Sequence, residues 1–375
     1  MEKNGKAVLS ADVINTGRQI ELDIGKALPI LGLAFVHCII ECCTEAQLYF
    51  GIPLLFDSVI GGPMSAPMFL FCMGATIHYS KVNTPQKMVQ RGLYILLIGF
   101  ILNICRFFIP FMIGWLITGN ADKYLVPLPY FVFGNDVLQF AGLAFLCLAL
   151  FTKLKTPKWL MAVIALALSV AGSFLRTTDM GNDVLNVIFG WFIGTVNQEN
   201  LIISDFTLFN WFIIPVCGYI FGSVLLRVKD KRKFYLSFSP VLLTLAVIVL
   251  AFELPAEVGM FGDGENAYYH LYTFDAITCM ALTLGLLGVY YGLSKILPKK
   301  ILHFFTYTSS HITKFYCIHW VLVRFITNVV LYVVLGTQLI PVWEIMLISL
   351  GIVISTFLIL LVYDRFKARK RGCVA

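Results

Sequence analysis

Apolar runs of about 20 residues, the length that crosses a bilayer's hydrocarbon core as a helix, recur near 24–43, 60–79, 92–117, 131–151, 158–175, 205–226, 235–253, 273–293, 311–336 and 341–363. The pattern predicts about ten transmembrane helices in a single integral-membrane domain over residues 1–375: an all-α, polytopic bundle. The polar connections sort by charge. One set carries Lys81, Lys87 and Arg91, then Lys153, Lys155 and Lys158, the RVKDKRK run from Arg227 to Lys233, Lys295, Lys299 and Lys300, and the closing DRFKARKR. The alternate set carries acidic residues such as Asp57, Asp122, Asp179, Asp183, Asp205 and Glu253, with almost no Lys or Arg. Cytoplasmic loops concentrate Lys and Arg, so both termini are expected in the cytosol, and an even number of spans agrees. Two outer connections are long, 176–204 and 254–272. The first holds the apolar piece NVIFGWFIGTV, about eleven residues and too short to span.

Composition strengthens the membrane reading. Of 375 residues 59% are hydrophobic and 13% charged, with mean hydropathy +0.85, outside the range of soluble globular chains. No N-terminal stretch has the basic start, short apolar run and small-residue cleavage site of a signal peptide, so the first apolar helix is expected to remain a span. The net charge of +7 follows from the basic loops and implies no nucleic-acid partner. Ten cysteines scatter through apolar runs without a disulfide framework or the spacing of a metal site. There is no low-complexity linker and no internal repeat of the kind many transporters show. No P-loop, nucleophile elbow, HExxH or dinucleotide-binding glycine pattern stands in a suitable context.

Against this apolar background, polar residues inside the spans become the candidates. The stretch from Arg18 to His37, RQIELDIGKALPILGLAFVH, opens charged and then carries a histidine deep into a span. Ionisable groups there are costly and usually face a bundle interior or a substrate path. Lys26 and His37 are eleven residues apart, close to three turns, so they share a helix face roughly 16 Å apart. Counting rise per residue puts His37, Arg106, Asp136, Gln139 and Asn210 in one layer of the outer half, joined by Arg324. Arg106 and Asp136 read equally as a neutralising pair and as part of an acceptor pocket. Glu41, one turn after His37, is placed to orient the imidazole or simply to face water. His319 and His311 flank Lys314 in HITKFYCIHW, an unusually polar entry to an apolar helix. Tyr268, Tyr269, Tyr272 and Trp191 in the outer connections suit sugar stacking as well as interfacial anchoring.

Several of these segments resemble one known group, the membrane acyltransferases. RQIELDIGKALPILGLAFVH looks like the family opening, with Lys26 where an arginine is usual. FVFGNDVLQFAGLAFL, residues 131–146, resembles a step of the heparan-α-glucosaminide N-acetyltransferase catalytic domain. APMFLFCMGATI, residues 66–77, and QRGLYILLIGFILN are similar to the second- and third-span motifs of that group and of the related acyltransferase-3 group. FYCIHW is similar to the acyltransferase-3 histidine motif. The similarity covers about the first 230 residues and, more weakly, the last 75, dividing the domain into 1–230 and a C-terminal helical part, 231–375.

The resemblance implies an enzyme that moves an acetyl group from cytosolic acetyl-CoA to a hydroxyl or amine of an extracytoplasmic sugar or glycan. Catalytic candidates are His37, Glu41, Arg106 and Asp136, with His37 as base or acyl carrier and Arg106 or Asn210 as an oxyanion partner. CoA-binding candidates are Arg18, Lys26, Lys87, Arg91 and His319, and no metal is expected. The protein would sit in a bacterial cytoplasmic membrane, with a homo-oligomer left open. The competing readings are a secondary transporter or flippase whose buried charges form a substrate or proton path, and an inactive relative serving as a membrane partner.

Overall fold

The computed structural model describes residues 8–48, 50–196, 205–252 and 266–370. Most of the outer connection 254–272 and part of 176–204 therefore lie outside the described residues. What is described is helical, with two isolated β-bridges and no strands. The helices of eight or more residues are α1 (Ile20–Cys42), α2 (Gly51–Tyr79), α3 (Pro85–Thr118), α4 (Ala121–Lys153), α5 (Lys158–Phe174), α6 (Asp183–Gly190), α7 (Leu208–Leu225), α8 (Lys231–Ala251), α9 (Thr273–Ile296), α10 (Lys299–Ser310), α11 (Ile312–Val334) and α12 (Val342–Arg369), several including short breaks or changes of helical type. Among the described residues nine are long and apolar enough to cross a membrane, not ten. The difference is α5, whose helix is only 17 residues. Pro157 caps its start where the apolar run begins, and the Leu175 turn ends it.

α1 is the axis of the bundle, packing against α2, α9, α10, α11 and α12. Its first turn carries Glu21 and Asp23, which suit the positive end of the helix dipole. Both are nearly fully buried, and each has partners. Lys231 Nζ and Tyr235 OH donate to Glu21 at 2.7 and 3.1 Å. Ser309 donates to Asp23 at 2.6 Å. Buried carboxylates matched by donors in this way tie α1 to α8 and α10.

Close pairs form around α1: α3 with α4, α2 with α7, and α8 with α9. Between α2 and α7 the backbones meet at Gly74 and Gly218. A Cβ at Gly74 would collide with the Pro215 carbonyl, and one at Gly218 with the Phe71 carbonyl. Small residues permit such approach where hydrophobic driving force between helices is absent.

Three segments widen into π-helix: Phe56–Gly61 in α2, Ile104–Phe108 in α3 and Phe325–Val334 in α11. The α3 case has a visible cause. Pro110 has no N–H, so the bond that would hold the Arg106 carbonyl in α register is missing, and the Ile109 N–H reaches back five residues to the Ile104 carbonyl. The widened turn carries Arg106. π-bulges of this kind recur at functional sites.

Candidate active site

α1, α3 and α11 converge on one indole, that of Trp320. The His37 ring stacks on it with centroids 3.7 Å apart and 28° between planes. The Arg106 guanidinium lies 4.7 Å from its centroid and Arg324 5.6 Å. Both guanidiniums also cover Phe107, at 4.4 and 4.8 Å. Cations over aromatic faces are stabilised by the ring quadrupole, and more so out of water.

His319 brings a second imidazole to the same place, 5.7 Å from His37 and nearly parallel at 14°. Its Nδ1 meets the Phe315 carbonyl at 3.0 Å. A carbonyl only accepts, so in the neutral ring Nδ1 carries the proton and Nε2 keeps its lone pair. Nε2 of His319 and Nε2 of His37 are both buried with no hydrogen-bond partner. Buried polar atoms are normally satisfied, and an exception asks for a ligand or a chemical role.

Arg106 and Asp136 form an ion pair through Nη2 and Oδ2. Asn103 supports it, its Oδ1 accepting from Arg106 Nε and Nη2 at 3.2 and 2.8 Å. Tyr316 OH donates to Asp136 Oδ2 at 3.3 Å. The other carboxylate oxygen accepts from the Val137 N–H and caps the long part of α4. Asp205 lies within electrostatic reach of Asp136, Arg106 and Arg324. The buried charges thus stand in a mutually compensating set, the arrangement a low-dielectric interior requires.

Two of the sequence-derived candidates have other partners. Glu41 does not orient His37: its carboxylate accepts from Arg324 Nη1 at 2.7 Å and from Gln338 at 3.3 Å. Arg324, one turn beyond Trp320 on α11, outcompetes a neutral imidazole for the carboxylate. Asn210, read as a candidate oxyanion partner, is engaged elsewhere. Its side chain donates to the Leu271 carbonyl at 2.8 Å and accepts from Thr207 at 2.7 Å, and it packs on Gly172 of α5. Gln139 stays nearby, against Gly99 of α3.

The outer aromatics are packed. Trp211 and Phe206 gather Tyr268 and Tyr269 into one cluster, Tyr272 lies 3.8 Å under the Arg176 guanidinium, and Trp191 donates to the Phe133 carbonyl. In the same region Asp179 is held below the usual carboxylate range by the Asn186 amide and the Gly181 N–H.

At the other end of α1, Arg18 and Lys26 share the Asp23 carboxylate, Lys26 Nζ at 3.5 Å. Arg18 also donates to the Thr306 carbonyl at 3.0 Å. Arg91 reaches the Thr313 hydroxyl at 3.4 Å. Ser309, which binds Asp23, and Thr313 flank the break at His311 between α10 and α11, so Lys26 and Arg91 approach one junction from two sides. Lys87 is exposed on the surface. At that junction His311 Nε2 lies 3.1 Å from Asp364, and Tyr307 donates to the same carboxylate at 2.9 Å. Burial and the Asp364 charge push the Tyr307 phenol up to about 12. Among the described residues no group of His, Cys, Asp and Glu is arranged to hold a metal ion.

Residues 18–252 match the family model of the heparan-alpha-glucosaminide N-acetyltransferase catalytic domain. The chain belongs to that family. It is therefore an integral membrane protein of an acetyltransferase family. No curated protein and no solved structure matches the chain. The family segment contributes His37, Asn103, Arg106 and Asp136 to the cluster. Tyr316, His319, Trp320 and Arg324 come from beyond it. Sequence reasoning missed Trp320 and Asn103 as members, since an apolar-run tryptophan and a span asparagine carry no signal of which neighbour they meet.

Proposed function

We propose that the chain moves an acetyl group from cytosolic acetyl-CoA to a hydroxyl or amine of an extracytoplasmic sugar or glycan, in a bacterial cytoplasmic membrane. The reading is carried by His37: a half-buried imidazole whose buried Nε2 has no partner, held by an indole and faced by a second imidazole whose Nε2 is likewise unpartnered. Lys26 and Arg91 at the α10–α11 junction suit the phosphates of a CoA, and the three turns of α1 between Lys26 and His37 give a thioester arm a path of roughly 16 Å.

Two routes fit this geometry. In the first, His37 Nε2 takes the proton from the acceptor as its oxygen or nitrogen attacks the thioester carbon. The C–S bond breaks, and the thiolate recovers the proton from the imidazolium. In the second, Nε2 itself attacks and releases the thiolate, and the acceptor then displaces the imidazole from the acetyl group, its proton passing to the thiolate. Trp320 fixes the ring in either case, while Arg106 and Arg324 supply a positive field for the developing oxyanion.

The test is His37→Ala in purified protein. The variant should keep the melting temperature of the parent within a few degrees and lose release of CoA thiol from acetyl-CoA in the presence of candidate sugars, by about 10²-fold or more. Undiminished turnover would remove His37 from the chemistry. Sugar uptake into proteoliposomes without any CoA release would instead favour a transporter.

A further inference from the structure

α10 and α11 meet at a single residue. His311 stands between Ser310, the last of α10, and Ile312, the first of α11, and its backbone at φ −107° and ψ 12° is off the helical values. A one-residue break of this kind is a hinge, because the torsions there set the angle between the two helices.

Different helices hold the two faces of the hinge. Toward α1 and α3, Ser309 donates at 2.6 Å to Asp23, the carboxylate that lies 3.5 Å from Lys26, while the Thr313 hydroxyl lies 3.4 Å from Arg91. Lys26 is thereby tied, through Asp23, to the α10 side of the break, and Arg91 is tied to its α11 side. The angle at His311 therefore sets how far apart these two cations are held.

Toward α12 the contacts come from Tyr307, His311 and Lys314. Tyr307 OH donates to Asp364 at 2.9 Å, and His311 Nε2 lies 3.1 Å from the same carboxylate. A carboxylate only accepts, so Nε2 is the donor. The Tyr307 and His311 rings are 4.4 Å apart, and Lys314 Nζ lies 4.0 Å from the ring of Tyr363, the neighbour of Asp364. The hinge residue is thus anchored by its own side chain to a third helix. The Asp364 side chain is 32% exposed, so it has no deeply buried charge to compensate. A pair with that access to water biases an equilibrium by a factor of about five at most, which is little for the fold as a whole and enough to set a hinge.

We infer that Asp364, acting through His311 and Tyr307, is a positioning residue for the donor: it holds the α10–α11 hinge at the angle that spaces Lys26 and Arg91 for the phosphates of acetyl-CoA, so that the cytosolic end of α12 sets donor affinity. The inference rests on the acetyltransferase reading of the Lys26 and Arg91 mouth. Tyr307, His311, Tyr363 and Asp364 lie beyond the family-matched residues 18–252, so the device belongs to the C-terminal part of this chain.

The experiment measures binding separately from turnover. Purified protein in nanodiscs, as parent and in the His37→Ala background, is titrated with CoA and read by calorimetry. Asp364→Ala should raise the Kd about fivefold with a melting temperature within a few degrees of the parent, and Asp364→Glu, which keeps the charge, should recover most of the affinity. His311→Ala should give a similar loss, and the double variant no more than either single one, because both act through one contact. A parent-like Kd in Asp364→Ala, a loss in Asp364→Glu as large as in Asp364→Ala, or losses that add in the double variant would overturn the inference. If Asp364→Ala does not fold, Asp364→Asn makes the same comparison. A parent that binds no CoA would overturn both the inference and the acetyltransferase reading. Weakened binding in Asp364→Ala, together with full turnover in His37→Ala, would sink the His37 mechanism and leave the hinge standing.

Discussion

At the scale of single residues the site is governed by what each charge is given as a partner. Asp136 answers Arg106 and caps α4 at once, which separates two effects experimentally. Asp136→Asn keeps an oxygen for the Val137 N–H but removes the charge, leaving Arg106 buried and unpaired. That should destabilise the protein by roughly 3 kcal/mol, the cost of breaking a buried pair from one side. Adding Arg106→Met should recover part of the loss, because the pair is then replaced by groups that need no counter-charge. Thermal unfolding of the two single variants and the double variant measures the coupling, and additive losses would mean that the two do not act as a pair. The pair itself was legible in the sequence, since two opposite charges at one depth in consecutive spans have few other partners. Glu41 was not. Its helical spacing allowed a contact with His37 or an outlook on water, and Arg324, arriving from a helix nearly three hundred residues away in sequence, takes the carboxylate instead. Spacing along one helix says which residues share a face, and it is silent about what the facing helix presents.

At the scale of elements the spans were readable because a bilayer imposes length and apolarity: each of the ten runs has its helix, and nine of them among the described residues are long enough to span. The π-helical turns were not readable, since periodicity in an apolar run is too weak to show a single wide turn. Yet one of them carries Arg106. Pro110 is the sequence handle on the first of them. Restoring its N–H with Pro110→Ala lets residue 110 donate to the Arg106 carbonyl, which favours closing the π turn into α-helix and rotating Arg106 away from Trp320. The variant gains a backbone hydrogen bond where proline is costly but strains the pair of Arg106 with Asp136, so its melting temperature should stay within several degrees of the parent while it turns over acetyl-CoA about tenfold or more slowly. The comparison to make is kcat against melting temperature on the same preparation. Parent-like kcat would show that the wide turn does not serve to aim Arg106.

At the scale of the whole molecule α5, the one apolar run whose helix falls short of a span, carries the most weight. If the nine long helices alone crossed, the two ends of the chain would lie on opposite sides of the membrane. The charge pattern puts Lys153, Lys155 and Lys158 with the other basic loops, and that side is kept only if α5 crosses back as a tenth span. Its 17 residues rise about 26 Å, short of a typical core of about 30 Å but within the range that local thinning of the bilayer accommodates. α5 also packs on α7 and α9, with Ser169 and Ser173 both within hydrogen-bond distance of Thr273 at the start of α9, so its far end reaches the level at which α9 begins. The expectation is ten crossings with both termini in the cytosol. Epitope tags fused at the two ends, probed with protease in sealed inside-out vesicles, should be digested together, and both should be protected in right-side-out vesicles. Digestion of one tag only would leave nine crossings. It would also reverse the side assigned to either the Lys26 mouth or the C-terminal basic tail, and the donor route from the cytosol would then have to be traced from the other end of α1.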